Sequence, residues 1–187
     1  VNDENIVHGT NADYIELINY LETQNINDPA IENALDNWID IDSYMSYQAF
    51  QIFVDNRDWP GNNIKFWRDH RVGGKWRWIL YDTDFGFGIW DQYAYTFNTL
   101  RFALDPNGPG WPNPPWSTFV FRKLMENENF QNSFINIYCD MLNTVLLPEF
   151  LTTRLDSISG NIEEMIPVHR ARWFNDGEWP NSTTNWE

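Results

Sequence analysis

The chain has 187 residues, 42% of them hydrophobic and 17% aromatic, which is enough for one well-packed domain, and residues 1–187 are read as a single domain. Lys and Arg number 12 against 27 Asp and Glu, and the resulting charge of −15 argues against a sequence-independent hold on nucleic acid or on an anionic membrane. Eleven Trp, thirteen Phe and eight Tyr exclude a solvated acidic tail, so the acidity belongs to a folded surface or to a cation site.

The opening Val1-Asn2-Asp3-Glu4-Asn5 has neither a signal-peptide pattern nor an initiator Met, and both ends are expected to continue into something longer. Apolar Ala12, Tyr14, Ile15, Ile18 and Leu21 recur at helical steps, which predicts an amphipathic helix over 11–25 with Asn11 or Asp13 as its cap. Asp28-Pro29 opens a second helix through Ile31, Ala34, Leu35 and Trp38. A third runs from Asp42 or Ser43 through Tyr44, Met45, Tyr47, Phe50, Ile52, Phe53 and Val54, and its nearly all-round apolarity predicts a central position. A polar loop over 56–63 follows. Large apolar and basic residues then alternate over 64–68 and 75–81 around Val72-Gly73-Gly74, the pattern of a β-hairpin.

From Asp91 to Pro115 the chain is rich in Pro, Gly, Asn and aromatics and reads as a long, lid-like loop. Helical periodicity returns over 116–125, from 129 or 130 to 146, and from 148 to about 168, where Leu151, Leu155, Ile158, Ile162 and Met165 mark one face. Cys139, the single cysteine, lies in an apolar run and is expected to be a buried small hydrophobe. The tail after Trp173 reads as irregular, and Asn181-Ser182-Thr183 spells a glycosylation acceptor. No stretch is apolar enough to span a bilayer. The fold class is therefore α+β and mostly helical, with one hairpin.

The loops flanking the hairpin hold the chemistry. The first carries Asp58 and Asn63 across Pro60-Gly61; the second carries Asp82 and Asp84, followed by Gly86 and Gly88, which let backbone approach a ligand. A hairpin returns its end beside its start, so three carboxylates and an amide are expected in one cluster. Like charges that close repel, and a divalent cation, Mg²⁺ by preference or else Mn²⁺ or Ca²⁺, would relieve them.

Arg57-Asp58 followed by Asn63 has the spacing of the kinase loop H-R-D-x-x-x-x-N, with Asn56 in the His position. The later segment reads Tyr81-Asp82-Thr83-Asp84-Phe85-Gly86-Phe87-Gly88. Together the two patterns resemble the CotH family, the spore-coat-type atypical protein kinases. The lead-in Trp38-Ile39-Asp40-Ile41-Asp42-Ser43-Tyr44 and the aromatic helices over 119–150 are similar too, so the resemblance covers about residues 35 to 173. It implies the C-terminal lobe of a kinase-like fold whose hairpin carries the metal site, moving a phosphoryl group from ATP to a Ser or Thr hydroxyl of a protein. Asp58 would take or orient the hydroxyl proton. Asn63 and Asp82 would hold metal ions, and Asp84 would be a further ligand or anchor. Arg57 would buttress Asp58, with Asn56, Gly86 and Gly88 in support. Many family members are exported, which implies an extracellular or cell-surface location. The Lys that pairs phosphates is missing upstream, since the lysines are Lys65, Lys75 and Lys123, so one lobe of a longer protein is expected.

Two other classes compete. Trp59, Trp67, Trp76, Trp78, Trp90, Trp111 and Trp116 invite a non-catalytic metal- or carbohydrate-binding module, and Asp82-Thr83-Asp84 invites a D-x-D glycosyl- or phosphotransferase. Transferases of that kind are built on parallel βαβ units, which a lone hairpin among helices does not supply. His8, His70 and His169 are dispersed with no ligand spacing.

Overall fold

The computed structural model describes residues 6–89 and 91–173. The chain divides into two compact units, Val1–Cys139 and Asp140–Glu187. The tail after Trp173 and its Asn-Ser-Thr triplet lie outside the described residues, as does Trp90.

In the first unit α1, Ala12–Thr23, buries Tyr14, Leu17 and Leu21. Asn11 holds the cap position, and Thr10 Oγ1 accepts from Ala12 N at 3.2 Å. The turn of the helix differs slightly from the sequence reading, because Leu17 is sealed while Ile15 is 38% exposed. The next helix, α2, Pro29–Leu35, begins with Pro after Asp28, whose Oδ1 accepts from Ala30 N at 2.8 Å. It stops short of Trp38, because residues 36–38 form a turn that leads into extended chain at Ile39. Trp76 N donates to Trp38 O at 2.7 Å and Asp40 N to Trp76 O at 3.1 Å, laying Ile39 parallel to the hairpin's second arm.

Asp40 then starts α3, Ile41–Phe53, accepting from Ser43 N through Oδ1 and from Arg77 Nε through Oδ2 at 2.7 Å. As its composition predicts, α3 is central, burying Tyr44, Met45, Tyr47, Gln48, Ala49, Gln51 and Ile52. The hairpin forms as expected, with β1, Lys65–Trp67, antiparallel to β2, Arg77–Ile79, and Phe66 opposite Trp78. Phe66, Trp76 and Trp78 turn inward together. Tyr14 lies tilted against Phe66 at 4.4 Å between ring centroids and meets Trp76 edge-on at 5.3 Å, while Tyr44 lies 4.4 Å from Trp78. Tilted and edge-on aromatic pairs of this kind add about 0.5–1.5 kcal/mol each beyond their burial.

The segment over 91–115 is not a plain loop. It contains α4, Thr99–Leu104, capped by Asn98 Oδ1 accepting from Arg101 N at 2.8 Å. Six residues between Pro- and Gly-rich flanks are too short to show helical periodicity. Asn113, fully buried, donates to Phe102 O at 2.6 Å and so ties the rest of the segment to α4. Then come α5, Phe119–Leu124, and α6, Glu128–Leu142. Asn127 joins the two ends of the unit: its Oδ1 accepts from Asn129 N and its Nδ2 donates to Ile26 O at 2.9 Å. Cys139 is exposed on α6, not buried. The apolar run around it is one a helix divides among its sides, and only Phe130 and Phe134 of α6 reach the core.

In the second unit α7, Pro148–Ile162, is followed by a 3-10 turn, Glu163–Met165, and α8, Ile166–Trp173. The expected face does not find a core, for α7 has no buried residue and Leu155 and Ile158 are 64% and 62% exposed. Among the described residues no helix is long and apolar enough to cross a membrane.

The aromatic cluster makes the hairpin's two faces unequal. Trp76→Ala, at a position 6% exposed, is expected to cost about 3–5 kcal/mol in urea unfolding followed by far-ultraviolet circular dichroism. Trp67→Ala, on the outer face at 46% exposure, is expected to cost less than about 1 kcal/mol. Equal losses would contradict this assignment of faces.

Candidate functional site

The site begins where α3 ends. Val54 O accepts from Phe87 N at 2.7 Å and Phe85 O accepts from Arg57 N at 3.2 Å, so the two loops expected to meet are joined through backbone. The chain makes this approach in left-handed backbone at Asp55 (φ 48°), Asn63 (52°), Asp82 (53°) and Phe87 (53°). Asn and Asp tolerate that region better than most residues. Gly86 is buried against α3, where a Cβ would sit 3.1 Å from Val54 Cβ, and Gly88 has φ 75°. Gly61 is needed for another close approach: its N donates to Pro112 O at 2.5 Å, and a Cβ there would meet Pro114.

Asn56 is sealed from solvent and works in two directions. Its Nδ2 donates to Gln51 Oε1 at 2.9 Å, and its Oδ1 accepts from Asp58 N at 3.1 Å. The amide thus hangs the loop on α3. Asp58 is buried, with its Oδ2 accepting from Asn62 Nδ2 at 2.8 Å and from Asn63 Nδ2 at 2.7 Å. Asn63 Nδ2 also reaches Asp82 O at 3.4 Å, which makes this amide the side-chain link between the loops. Among the described residues Asp58 Oδ1 has no partner, and it is not sealed from solvent.

Asp82 and Asp84 are exposed, and neither carboxylate is paired with a cation among the described residues. The expected convergence of three carboxylates does not occur. Among the described residues no three His, Cys, Asp or Glu side chains form a group that could hold a metal ion. The hairpin brings the Asp82 backbone, and not its carboxylate, to Asn63. The donors that remain are Asn63 Oδ1 and the two exposed carboxylates, an all-oxygen set. This suits Mg²⁺, which keeps waters and takes one or two carboxylates together with substrate phosphates rather than a closed protein cage.

Arg57 does not turn to the Asp58 carboxylate. Its Nε lies 2.7 Å from Asp55 Oδ2, both atoms out of solvent and aligned as an ion pair rather than as a hydrogen bond. Its guanidinium covers the Phe97 ring at 4.0 Å. Asp55 Oδ1 accepts from Thr99 Oγ1 at 2.7 Å, which brings α4 against the loop. These side chains form one wall of a cleft of about 530 Å³ that also meets Trp59, Phe85, Phe102 and Trp111. The cleft touches both neighbours of Asp58 in the chain but none of Asp58, Asn63, Asp82 or Asp84.

Gln51, Asn62, Asp55 and Thr99 were not singled out from sequence. Gln51 left a trace, as a polar residue on a helix apolar almost all round; Asn62 stands next to Asn63. Nothing local marks Thr99, 44 residues from its partner. The tryptophans divide: Trp59 and Trp76 are core, while Trp67, Trp111 and Trp116 are exposed. His70 Nδ1 lies 3.5 Å from Asp13, and the histidines form no ligand group with other residues among those described.

Tyr81, just before Asp82, has its phenol pushed up by burial and then by the charges of Asp82 and Asp58. Lys65 Nζ lies over the Tyr81 ring, 4.4 Å from its centroid.

No curated protein and no solved structure matches the chain. Residues 2–187 match the family model described as CotH kinase protein, essentially the whole chain, and the chain belongs to that family.

Proposed function

We propose that the chain takes part in ATP- and divalent-metal-dependent phosphoryl transfer to Ser or Thr hydroxyls of a protein substrate. The observation that carries this is the Asp58 carboxylate, with one oxygen fixed by two amides and the other without a partner among the described residues and not sealed from solvent. A substrate hydroxyl meeting Oδ1 would find an acceptor whose direction is already set, which is most of what a positioned base contributes. The hydroxyl oxygen would then bond to the γ-phosphorus as the bond to ADP breaks, its proton passing to Asp58.

Asn63, Asp82 and Asp84 would hold the metal. A divalent cation there supplies charge neutralisation for the phosphates, the largest share of the barrier reduction in this class of reaction. Because the Asn63 amide serves both Asp58 and the Asp82 loop, the base and the metal donors share one support.

The nucleotide cover and its phosphate-pairing Lys belong, in this reading, to another lobe of a longer chain. Lys75 is paired with Asp36 at 2.8 Å and Lys123 with Glu126 at 2.7 Å. An extracellular or cell-surface location is proposed with it, on family grounds.

Residues 1–187 alone are expected to bind divalent metal but to transfer phosphate from labelled ATP poorly. Robust autophosphorylation by that piece would overturn the lobe assignment. In a longer chain that supplies the cover, calorimetric titration with Mg²⁺ or Mn²⁺ and ATP should show at least about tenfold weaker nucleotide binding for Asp82→Ala. Equal binding would remove Asp82 from the metal site. In the same chain Asp58→Asn should keep MgATP binding within about threefold and lose about 10²–10⁴-fold in transfer rate. An unchanged rate would exclude Asp58 as the base.

A further inference from the structure

Lys65 opens β1 two residues after Asn63, at an exposed strand position. Side chains alternate along a strand, so Lys65 projects on the side opposite Phe66, whose ring is committed to the cluster with Tyr14, Trp76 and Trp78. On that outer side its ammonium rests on the Tyr81 ring, a cation–π contact that holds a charge without neutralising it. Tyr81 runs directly into Asp82 and Lys65 follows Asn63 by two residues, so the parked ammonium stands where the two loops leave the hairpin. The other two lysines are paired with carboxylates, while Lys65 has none within ion-pair distance among the described residues.

A triphosphate entering here approaches the exposed carboxylates of Asp82 and Asp84 in a chain of net charge −15. A divalent ion offsets part of that repulsion. An ammonium on a flexible four-carbon stem, held nearby and off the carboxylates, can follow the phosphate oxygens as a compact point charge. We propose that Lys65 is the side chain of this lobe that meets the nucleotide phosphates, with the Tyr81 ring as its resting place when the site is empty of nucleotide. The proposal rests on the phosphoryl-transfer reading and adds to it a phosphate-contacting residue outside the two loop motifs.

The test is MgATP titration calorimetry on the longer chain with its nucleotide cover, at low and high salt, with Mn²⁺ alone as a second probe. Lys65→Gln should weaken MgATP binding about tenfold at low salt and flatten its salt dependence, whereas Lys65→Arg should stay within about threefold of wild type. Mn²⁺ binding should be unchanged or tighter in Lys65→Gln, since a positive charge has been removed, and lost in Asp82→Ala. Because the position is exposed, melting temperatures of both Lys65 variants should match wild type. Wild-type MgATP affinity in Lys65→Gln would overturn the role of Lys65 and leave the phosphoryl-transfer reading standing. Equal losses in Lys65→Gln and Lys65→Arg would overturn it too, as a sign of packing on Tyr81 rather than charge. A wild type that binds no MgATP would remove the phosphoryl-transfer reading itself, and this proposal with it.

Discussion

Two backbone hydrogen bonds, from Phe87 to Val54 and from Arg57 to Phe85, hold the end of the central helix against the segment that leaves the hairpin. The rest of the site depends on that junction. It lets Asn63 reach both the Asp58 carboxylate and the Asp82 carbonyl, and it sets Phe85 beside Arg57 in the lining of the cleft. Backbone pairing is insensitive to side-chain identity, so the junction is a frame on which the Asp and Asn side chains are hung.

The frame carries conformational strain. Left-handed backbone costs an L-residue on the order of 1 kcal/mol, less for Asn and Asp, and the four non-glycine residues described in that region all lie in these loops. Such conformations persist where the surroundings over-determine them. Here α3 is buried along most of its length beneath one end, and the aromatic cluster of Tyr14, Phe66, Trp76, Trp78 and Tyr44 holds the hairpin at the other. Strain and support belong to one arrangement. A core of rigid rings fixes where the strands end, and the strand ends fix where Asn63 and Asp82 begin.

Much of this could be read in the residues. A helix apolar all round has to be central, and α3 is; alternating aromatics around Gly73-Gly74 have to pair, and Phe66 faces Trp78. Because a hairpin returns its end to its start, the residue pattern alone makes the two loops neighbours. What could not be read is which atoms would meet. The amide of Asn63 finds the carbonyl of Asp82, which sits in left-handed backbone, while both carboxylates of the second loop stay in solvent. Arg57 was expected to serve Asp58 because it precedes it in the chain, yet the partner that claims it, Asp55, is fixed by Thr99 from a helix too short to leave a periodic trace. The apolar faces of α6 and α7 misled in the opposite sense, since periodicity marks a side that is able to be buried and says nothing of what is there to bury it.

The exposed thiol of Cys139 has a practical consequence. It is the single cysteine of the chain and stands at the last residue of the first unit. A maleimide dye or spin label would therefore attach at one known point with no engineered substitution, on a helix that supplies none of the side chains bonded to Asp58 among the described residues. The protein carries its own reporter position, from which distances to an introduced second label could follow each unit in solution.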